Sequence, residues 1–352
     1  MVMLRYRIVD VFTTEALQGN SLAVFTDGSK IDPGVMQKIA REMNLAETVF
    51  ILSSDDPTCT ARLRIFTPRK EMAFAGHPTI GTSFVLLDEN QVSQQSGSFF
   101  LEEKIGNIQI WVEQGEPPMI WLRTPPISEG RVFDRSLCAQ ALRVEPDDLL
   151  DAQPQLLDAG NPTLFIALKN KEAVDRALVD SQGMMSLRDD EAEPFCVFVF
   201  AQTHEGAYSR MFAPDYGVPE DPATGSSTGP LAAFMMKHDL LPRVTNARFI
   251  SEQGTKMLRR SLLHVKIGDD TGTVGIYVGG HVTAIAEGTI PLTLELLSPA
   301  HRPIQTTRDL PGFWRGSWAD VRAEMRGRYP KHVWPENPLQ AQATSRAKPR
   351  GG

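Results

Sequence analysis

The sequence has few cysteines and no long apolar run. The three cysteines, Cys59, Cys138 and Cys196, are too few and too scattered for a disulfide framework or a zinc site. No stretch approaches the roughly 18 consecutive apolar residues that a membrane span needs. The N-terminus also lacks the features of a secretory signal. These absences predict a cytoplasmic protein with no metal site and no membrane contact.

Positive charge is scarce over most of the chain. Residues 1–290 contain 26 Lys and Arg against 38 Asp and Glu, whereas residues 291–352 contain ten against five. Nucleic-acid binding needs clustered Lys and Arg, so the acidic body argues against a nucleic-acid partner. The reversal of charge predicts a boundary, with a basic tail over residues 291–352.

Nucleotide-binding signatures are missing as well. Two Gly-rich segments, residues 74–82 and 220–229, each run into an apolar helix-like stretch. The first lacks the spacing of a dinucleotide fingerprint, and neither has the Lys-Ser/Thr ending of a P-loop. The sequence therefore excludes NAD and ATP as cofactors.

What the chain does contain is two similar halves. Each has strand-like segments, a Gly-rich turn and an apolar helix-like stretch, and residues 124–130 resemble a linker between them. A helix that is apolar all round is expected to be surrounded by protein. Regular βαβ alternation is absent. We predict an α+β fold with two lobes, residues 1–125 and 126–290, whose strands wrap around one central helix each.

The two Gly-rich helix starts are candidate anion sites. A helix N-terminus presents unpaired N–H groups and a partial positive charge, and glycine permits close approach of a ligand. Gly76 and Gly225, the latter followed by Ser226, therefore suit a carboxylate or phosphate between the lobes. The alternative is that both are ordinary capped turns.

Three titratable residues are candidates for acid–base chemistry. Glu47 lies where a helix-like segment ends and an apolar strand begins, and an apolar environment raises a carboxyl pKa toward neutrality. His77 and Asp221 lie within the two Gly-rich turns. Each also has a structural alternative: Glu47 as a solvated boundary residue, and the other two as helix caps.

Five ordered segments resemble the PhzF-like family of phenazine biosynthesis isomerases, over roughly residues 4–290. They are Asp10-Val-Phe-Thr, Gly19-Asn20, Asn44-Leu-Ala-Glu-Thr-Val-Phe, Phe74-Ala-Gly-His-Pro-Thr-Ile-Gly-Thr and Glu220-Asp-Pro-Ala-Thr-Gly-Ser-Ser-Thr-Gly. The resemblance implies a diaminopimelate-epimerase-like fold, with two pseudo-symmetric lobes that are each a strand barrel around a central helix. It also implies a homodimer that uses no metal or organic cofactor.

The resemblance further implies an activity and a set of site residues. Glu47 matches the general acid/base that moves a proton between carbons of dihydro-hydroxyanthranilate, a small carboxylic acid. The other matched positions are His77, Asp221 and Ser226 as supporting residues, with Gly76 and Gly225 beside the substrate carboxylate.

The chain departs from the family pattern at several positions. Ser21 stands where proline is common, Met72-Ala73 replaces Leu-Pro, and residues 257–261 read Met-Leu-Arg-Arg-Ser. The last change predicts altered substrate contacts around Arg259 and Ser261. Related epimerases have a cysteine at each Gly-rich helix start, and this chain has none there, which disfavours a two-cysteine racemase.

The tail resembles a different protein. Residues 294–338 are similar to the C-terminal segment of a bacterial DEAH-type ATP-dependent helicase, although the chain has no helicase motor motif. An appended fragment without a function of its own is the favoured interpretation, and weak RNA binding through its aromatic and basic residues is the alternative. Residues 340–352 are expected to be disordered.

Three functional hypotheses follow. The leading one is a cofactor-independent isomerase that uses Glu47. The second is an epimerase or racemase-like enzyme acting on an amino acid. The third is a catalytically idle small-molecule binder with an RNA-contacting tail.

Overall fold

The computed structural model describes residues 2–29, 31–93, 97–188, 194–241, 247–268, 275–292, 294–297, 303–307 and 310–336. The chain divides into two compact units. The larger one comprises residues 6–288, and the smaller one comprises residues 1–5 and 289–352. Among the described residues, no helix has the length and apolar character needed to cross a membrane. The boundaries of the two lobes near residue 125 stay a prediction.

The described residues of the first part of the chain form eight strands and two helices. In chain order they are β1 (Val2–Val11), β2 (Asn20–Phe25), α1 (Pro33–Met43), β3 (Glu47–Leu52), β4 (Ala61–Phe66), β5 (Glu71–Met72), α2 (Gly76–Asp88), β6 (Ser98–Glu103), β7 (Gly106–Glu113) and β8 (Met119–Arg123). Proline at the first position of α1 and the Asp32 N-cap explain why that helix begins where it does.

In the next part, the residues that the structure describes form ten strands and four helices. They are β9 (Ser128–Val132), α3 (Arg135–Leu142), β10 (Gln155–Asp158), β11 (Thr163–Leu168), α4 (Lys171–Arg176), α5 (Ser181–Leu187), β12 (Cys196–Thr203), β13 (Gly206–Ala213), β14 (Val218–Asp221), α6 (Gly225–Lys237), β15 (Ala247–Gln253), β16 (Ser261–Ile267), β17 (Ile276–Gly280) and β18 (Val282–Leu292). Short 3-10 turns lie at Pro146–Asp148, Pro214–Tyr216 and Thr255–Met257.

The strand pairings of the two halves repeat each other. In the first half β2 is parallel to β3, β3 is antiparallel to β4, and β4 is parallel to β6, which continues antiparallel through β7 to β8. In the second half β11, β12, β13, β15, β16 and β17 follow the same sequence of directions. The halves join where β8 pairs antiparallel with β17. This repeat is the pseudo-symmetry that the two similar sequence halves predict.

The central helix of each half is enclosed by its strands. In α2, eleven of thirteen residues are buried, and in α6 ten of thirteen are. Ile80, Val85 and Leu86 of α2 lie in one apolar cluster with strand residues, and Leu231 and Phe234 of α6 lie in a second one. The prediction of an apolar helix surrounded by protein is confirmed in both halves.

Some elements of the fold were not predicted from the sequence pattern. β9 begins inside the stretch that resembles a linker and extends two residues beyond it, and it pairs antiparallel with β10. All five of its residues are exposed, so it has no alternation of apolar and polar side chains for periodicity to detect. A third apolar cluster, formed by α3, α4 and α5 against β11 and β12, covers the other face of the second half.

The smaller unit has a core of its own. It contains β19 (Leu294–Leu297), β20 (Pro303–Thr307), α7 (Leu310–Arg315) and α8 (Trp318–Arg328), and the two strands are antiparallel. Phe313, Trp318, Val321 and Met325 form a buried cluster. The disorder predicted for residues 340–352 lies outside the described residues.

Candidate active site

The two Gly-rich helix starts meet each other. A methyl group added to Gly76, at the start of α2, would lie 2.5 Å from the backbone nitrogen of Ser226 and 2.6 Å from the carbonyl carbon of Gly225. No residue with a side chain fits that space without moving backbone, so glycine is required by close approach. The N-termini of the two central helices therefore face one pocket.

Neither helix start is capped by a side chain. The N-cap residues, Ala75 for α2 and Thr224 for α6, make no side-chain hydrogen bond to the first turn. By contrast, α1, α3, α4 and α5 each have an Asp or Asn N-cap whose side chain accepts from the first turn. The alternative that His77 and Asp221 are helix caps is therefore wrong. The uncapped first turns suit an anionic ligand.

The helix starts open into a pocket of about 530 Å³, counting its opening to solvent. Every predicted site residue lines it: Glu47, Gly76, His77, Asp221, Gly225 and Ser226. Lysine and arginine are absent from its described lining. A ligand carboxylate in this pocket would have to rely on backbone N–H groups and neutral side chains.

Glu47 and His77 form the titratable centre of the pocket. Glu47 is the first residue of β3, and its Oε2 lies 3.4 Å from Nε2 of His77. Neither atom has a hydrogen-bond partner among the described residues. The Glu47 side chain is 16% exposed, which leaves it accessible from the pocket, whereas His77 is buried.

Asn20 fixes which nitrogen of His77 carries the proton. The Asn20 Nδ2 amide lies 3.2 Å from Nδ1 of His77 and donates to Oδ1 of Asp221 and to the carbonyl of Ala223. The two amide protons go to Asp221 and Ala223, and a hydrogen on Nδ1 would point at this N–H donor, so Nδ1 is unprotonated and the ring proton is on Nε2, facing Glu47. Burial lowers the pKa of His77 to about 3, so the imidazole is neutral.

Asp221 is buried inside a network of donors. Oδ1 accepts from Asn20 at 2.7 Å, and Oδ2 accepts from the Thr224 hydroxyl at 2.5 Å. Gln253 donates to the Asp221 carbonyl at 2.7 Å. Burial raises the Asp221 pKa to about 7, although the hydrogen bonds from Thr224 and Asn20 oppose that increase.

The two carboxyl groups differ in their environment. Burial, and then the nearby charge of Asp221, raise the pKa of Glu47 well above its ordinary value. Asp221 accepts hydrogen bonds on both oxygens, and such bonds favour its charged form. Asp221 is consequently the better carboxylate, and Glu47 is the member of the pair that more readily takes up a proton.

A buried arginine holds the segment that carries Asp221. Arg210 on β13 makes a bidentate pair with Glu220 at 2.8 Å, and its Nη1 donates to three backbone carbonyls. Glu220 directly precedes Asp221, so the pair anchors β14 beside the pocket.

Arg259 has a different place from the one predicted. Neither Arg259 nor Ser261 lines the pocket. Arg259 instead donates to Asp10, to Ser21 and to the carbonyls of Gln18 and Gly19. Ser21 also donates to Asp10 at 2.6 Å. Ser21 and Arg259, which come from two segments that depart from the family pattern, thus contact each other. Together they hold the loop that leads into Asn20, because the arginine fork finds several acceptors there.

Sequence reasoning missed one wall of the pocket. This wall is formed by Met72, Cys196, Met211 and Tyr216, which come from four separate segments. Cys196 is buried and its thiol pKa is raised by that burial, so it is a packing residue and not a nucleophile. Asn20 belongs to the Gly19-Asn20 motif, but nothing in its position in the sequence indicates that it contacts both His77 and Asp221.

Within the described ranges, no three His, Cys, Asp or Glu side chains come together as a metal ion would require. The cysteines also do not flank the pocket in pairs, since Cys59 and Cys138 are absent from its lining. The helix starts read Ala75-Gly76-His77 and Thr224-Gly225-Ser226. A two-cysteine racemase site is therefore not what the described residues form.

Residues 9–288 match the profile of the phenazine biosynthesis-like proteins. The chain belongs to this PhzC-PhzF family. It is 35% identical to an uncharacterized isomerase of Mesorhizobium japonicum, over 81% of this chain and 98% of the relative. It is 32% identical to trans-2,3-dihydro-3-hydroxyanthranilate isomerase of Pseudomonas aeruginosa, over 81% of this chain and 99% of that relative. The chain is thus an enzyme of an isomerase family.

Solved structures confirm the fold class. A predicted epimerase from Pseudomonas aeruginosa is similar with a TM-score of 0.68 and 29% identity, over 82% of this chain and 99% of that one. A probable proline racemase from Agrobacterium radiobacter gives a TM-score of 0.59 at 13% identity, over 82% and 93%, and supports the fold alone. The α+β, diaminopimelate-epimerase-like architecture predicted from the motifs is confirmed.

Residues 271–338 match a second profile, the C-terminal region of ATP-dependent helicases. The match overlaps the end of the PhzC-PhzF region and includes α7 and α8. The predicted resemblance of the tail to a helicase C-terminus is confirmed.

Proposed function

We propose that this protein is a cofactor-independent isomerase that moves a proton between two carbons of a small carboxylic acid. The observation that carries the proposal is the pair formed by Glu47 Oε2 and His77 Nε2, which face each other at 3.4 Å in the pocket without other hydrogen-bond partners. The 32% identity to an isomerase of trans-2,3-dihydro-3-hydroxyanthranilate supports a similar substrate.

In this proposal the substrate carboxylate lies at the uncapped starts of α2 and α6. Backbone N–H groups near Gly76 and Gly225, together with the Ser226 hydroxyl, supply its donors. The same donors stabilise negative charge that develops when a neighbouring C–H bond breaks. The wall of Met72, Cys196 and Met211 faces the uncharged part of the molecule.

Glu47 performs both proton transfers. As a carboxylate it removes a proton from one carbon, and the C–H electron pair enters the conjugated system of the substrate. The protonated Glu47 then returns that proton to a second carbon. Atoms and electrons balance without an oxidant, because one hydrogen and the double bonds change position. His77 donates from Nε2 to orient Glu47, and Asp221 positions His77 through Asn20.

Deuterium exchange tests this proposal. The full chain is incubated in D₂O with trans-2,3-dihydro-3-hydroxyanthranilate and a panel of amino and hydroxy acids, and exchange at carbon is followed by NMR. We expect exchange in wild type and in Glu42→Gln, an exposed control on α1, and its loss by a factor of about 10² to 10⁴ in Glu47→Gln. Exchange retained in Glu47→Gln would refute the role of Glu47.

The same experiment separates the alternative activities. Exchange at an α-carbon with inversion of configuration, in place of a shifted double bond, would indicate the epimerase. Binding without any exchange would indicate the idle binder.

The assembly and the tail have separate tests. We propose a homodimer, which light scattering on the full chain would contradict if it gave the mass of one chain, 39.0 kDa.

We propose that the tail is an appendage without nucleic-acid binding. Salt-sensitive RNA binding that is lost on substitution of Arg326 and Lys331 would contradict this.

A further inference from the structure

A second buried carboxyl group lies behind the helix start that bears His77. Glu103, the last residue of β6, is 4% exposed and does not line the pocket. Its Oε1 lies 2.6 Å from the hydroxyl of Thr79, which is fully buried in the first turn of α2. Its Oε2 is buried and has no hydrogen-bond partner among the described residues. The mechanism proposed above leaves this group unused.

The hydroxyl of Thr79 has two oxygen neighbours and one proton. It lies 2.7 Å from the carbonyl oxygen of Ala75 as well as 2.6 Å from Glu103. Both separations are those of full O–H···O hydrogen bonds. A carbonyl cannot donate, and the single hydroxyl proton cannot form two full hydrogen bonds, so both bonds form together only when Thr79 donates to Ala75 and its oxygen accepts from Glu103. The proton in the second bond must come from Glu103, which is therefore a carboxylic acid.

Among the residues that the structure describes, no cation faces Glu103 to favour its ionised form. On β4, Arg62 is paired in register with Glu102, so strand alternation directs Arg62 and Glu102 away from the face of Glu103. Arg64 shares the face of Arg62 and is paired with Glu71. On β7 the described residues of this face are apolar, with Ile108 opposite Leu101.

On α2 the neighbouring titratable residue is His77, which is neutral. Burial raises the pKa of Glu103 to about 8, even against the lowering that a hydrogen bond donated by Thr79 would cause. The charge and the geometry therefore agree that the group is protonated at neutral pH.

The hydrogen-bond chain ends on the peptide that opens α2. Ala75 contributes the carbonyl and Gly76 the N–H of the same planar unit, and in a trans peptide the two point in opposite directions. Holding the Ala75 oxygen therefore fixes the direction of the Gly76 N–H. The Ala75 carbonyl also accepts from the Thr79 backbone at 3.2 Å.

We propose that Glu103 is a positioning residue: as a neutral acid it donates to Thr79, which holds the Ala75–Gly76 peptide so that the Gly76 N–H serves the substrate carboxylate. The substrate part of this inference rests on the proposed function. Ionisation of Glu103 would remove the donated proton and place a negative charge behind the positive end of α2, which weakens anion binding.

Two measurements on the full chain test the inference without any substrate. Infrared difference spectra between wild type and Glu103→Gln should show the carbonyl band of a protonated carboxylic acid at neutral pH, lost as the pH rises through about 8. The amide NMR signal of Gly76 should shift over the same pH range in wild type, and stay constant in Glu103→Gln. The inference would be overturned if Glu103 were already ionised at neutral pH. It would also be overturned if the amide signal of Gly76 did not shift as Glu103 ionises.

Kinetics give the third measurement. Glu103→Gln keeps a neutral donor and should retain a KM within about twofold of wild type at neutral pH, without the wild-type increase in KM above a pH of about 8. Thr79→Val should raise KM about tenfold with a smaller effect on kcat. Glu102→Gln is the matched control on the opposite face of β6. If KM of Glu103→Gln increased above a pH of about 8 as much as KM of wild type, the inference would be overturned.

The outcomes separate the two proposals. If no turnover is found, the infrared and Gly76 signals still decide the state and the effect of Glu103. If turnover depends on Glu47 but neither the infrared band nor the Gly76 amide signal changes in Glu103→Gln, the proposed function stands and this inference fails. Circular dichroism of each variant identifies one that does not fold, and Glu103→Gln then carries the test, since it preserves the shape of the side chain.

Discussion

Asn20 Nδ2 lies 2.7 Å from Asp221 Oδ1, which joins residues 201 positions apart in the chain. The same amide faces Nδ1 of His77, so one side chain from the first half sets the ring orientation of His77 and anchors a carboxylate from the second half. The pocket is therefore assembled by a contact between the halves. Arg259 supports it from behind, through the carbonyls of Gln18 and Gly19.

Asn20→Ala should impair activity more than stability. It leaves Asp221 Oδ1 and the Ala223 carbonyl without their donor and removes the amide that faces His77 Nδ1, which costs about 1–3 kcal/mol of unfolding free energy. The freed imidazole no longer orients Glu47, so we expect kcat/KM to fall about a hundredfold. Urea unfolding and steady-state kinetics measure the two effects.

The control is Asn107→Ala, which removes an exposed hydrogen bond to Asp56 and should change neither quantity measurably. A loss of stability in Asn20→Ala with unchanged kcat/KM would contradict the role assigned to the contact.

Asp221→Asn should move the acid limb of the pH–rate profile to lower pH. The negative charge of Asp221 contributes to the raised pKa of Glu47, and a neutral amide removes that contribution while burial remains. Glu47 then becomes the active carboxylate at a lower pH. The measurement is kcat/KM against pH, with Asp151→Asn, a fully exposed carboxylate, as control. A limb that moves upward would show that the sign is wrong.

The ordered motifs were enough to predict the fold class and the residues that meet in the pocket. Helix α1 begins at Pro33, directly after its Asp32 N-cap, and ends at Met43. The two apolar helices are visible in the sequence because burial on every side removes the polar face that other helices keep. Glu47 is the first residue of β3, His77 lies in the first turn of α2, and Asp221 ends β14 shortly before α6 begins.

Long-range contacts were beyond sequence reasoning. Asn20 contacts Asp221 through space, and no periodicity encodes a pairing of that kind. Glu103 lies in an alternating strand, where a charged residue ordinarily faces solvent, and the burial of that face becomes visible only when α2 packs on it. Arg259 was assigned to the substrate because its segment departs from the family pattern, whereas its acceptors lie in another loop.

Stability should depend on pH through Glu103. Its pKa is raised to about 8 in the folded protein from 4.5 in the unfolded one, so its contribution is fully present below pH 4.5 and is lost as the pH rises through about 8. Each unit of that difference corresponds to about 1.4 kcal/mol. Glu103→Gln lacks this loss, so its stability relative to wild type should increase between those two pH values.

Urea unfolding over a pH series measures this difference, and Glu102→Gln on the same strand serves as the control. A constant difference between wild type and Glu103→Gln across the range would mean that Glu103 titrates alike in both states.

Gly76→Ala should separate the two helix starts. The added methyl group would lie 2.5 Å from Ser226 N and 2.6 Å from Gly225 C, which are backbone atoms and not the ends of flexible side chains. One of the helices must therefore shift, which we expect to cost about 1–3 kcal/mol of unfolding free energy. The shift also moves the N–H groups proposed to hold the substrate carboxylate, so KM should rise at least about tenfold.

Gly327→Ala is the matched control, because nothing lies within 4 Å of a methyl group at that position in α8. Alanine there should leave KM unchanged and stabilise the helix slightly. Equal behaviour of the two variants would mean that the helix starts tolerate separation, and the carboxylate would then have to be held by side chains of the pocket, with Ser226 as the first to substitute.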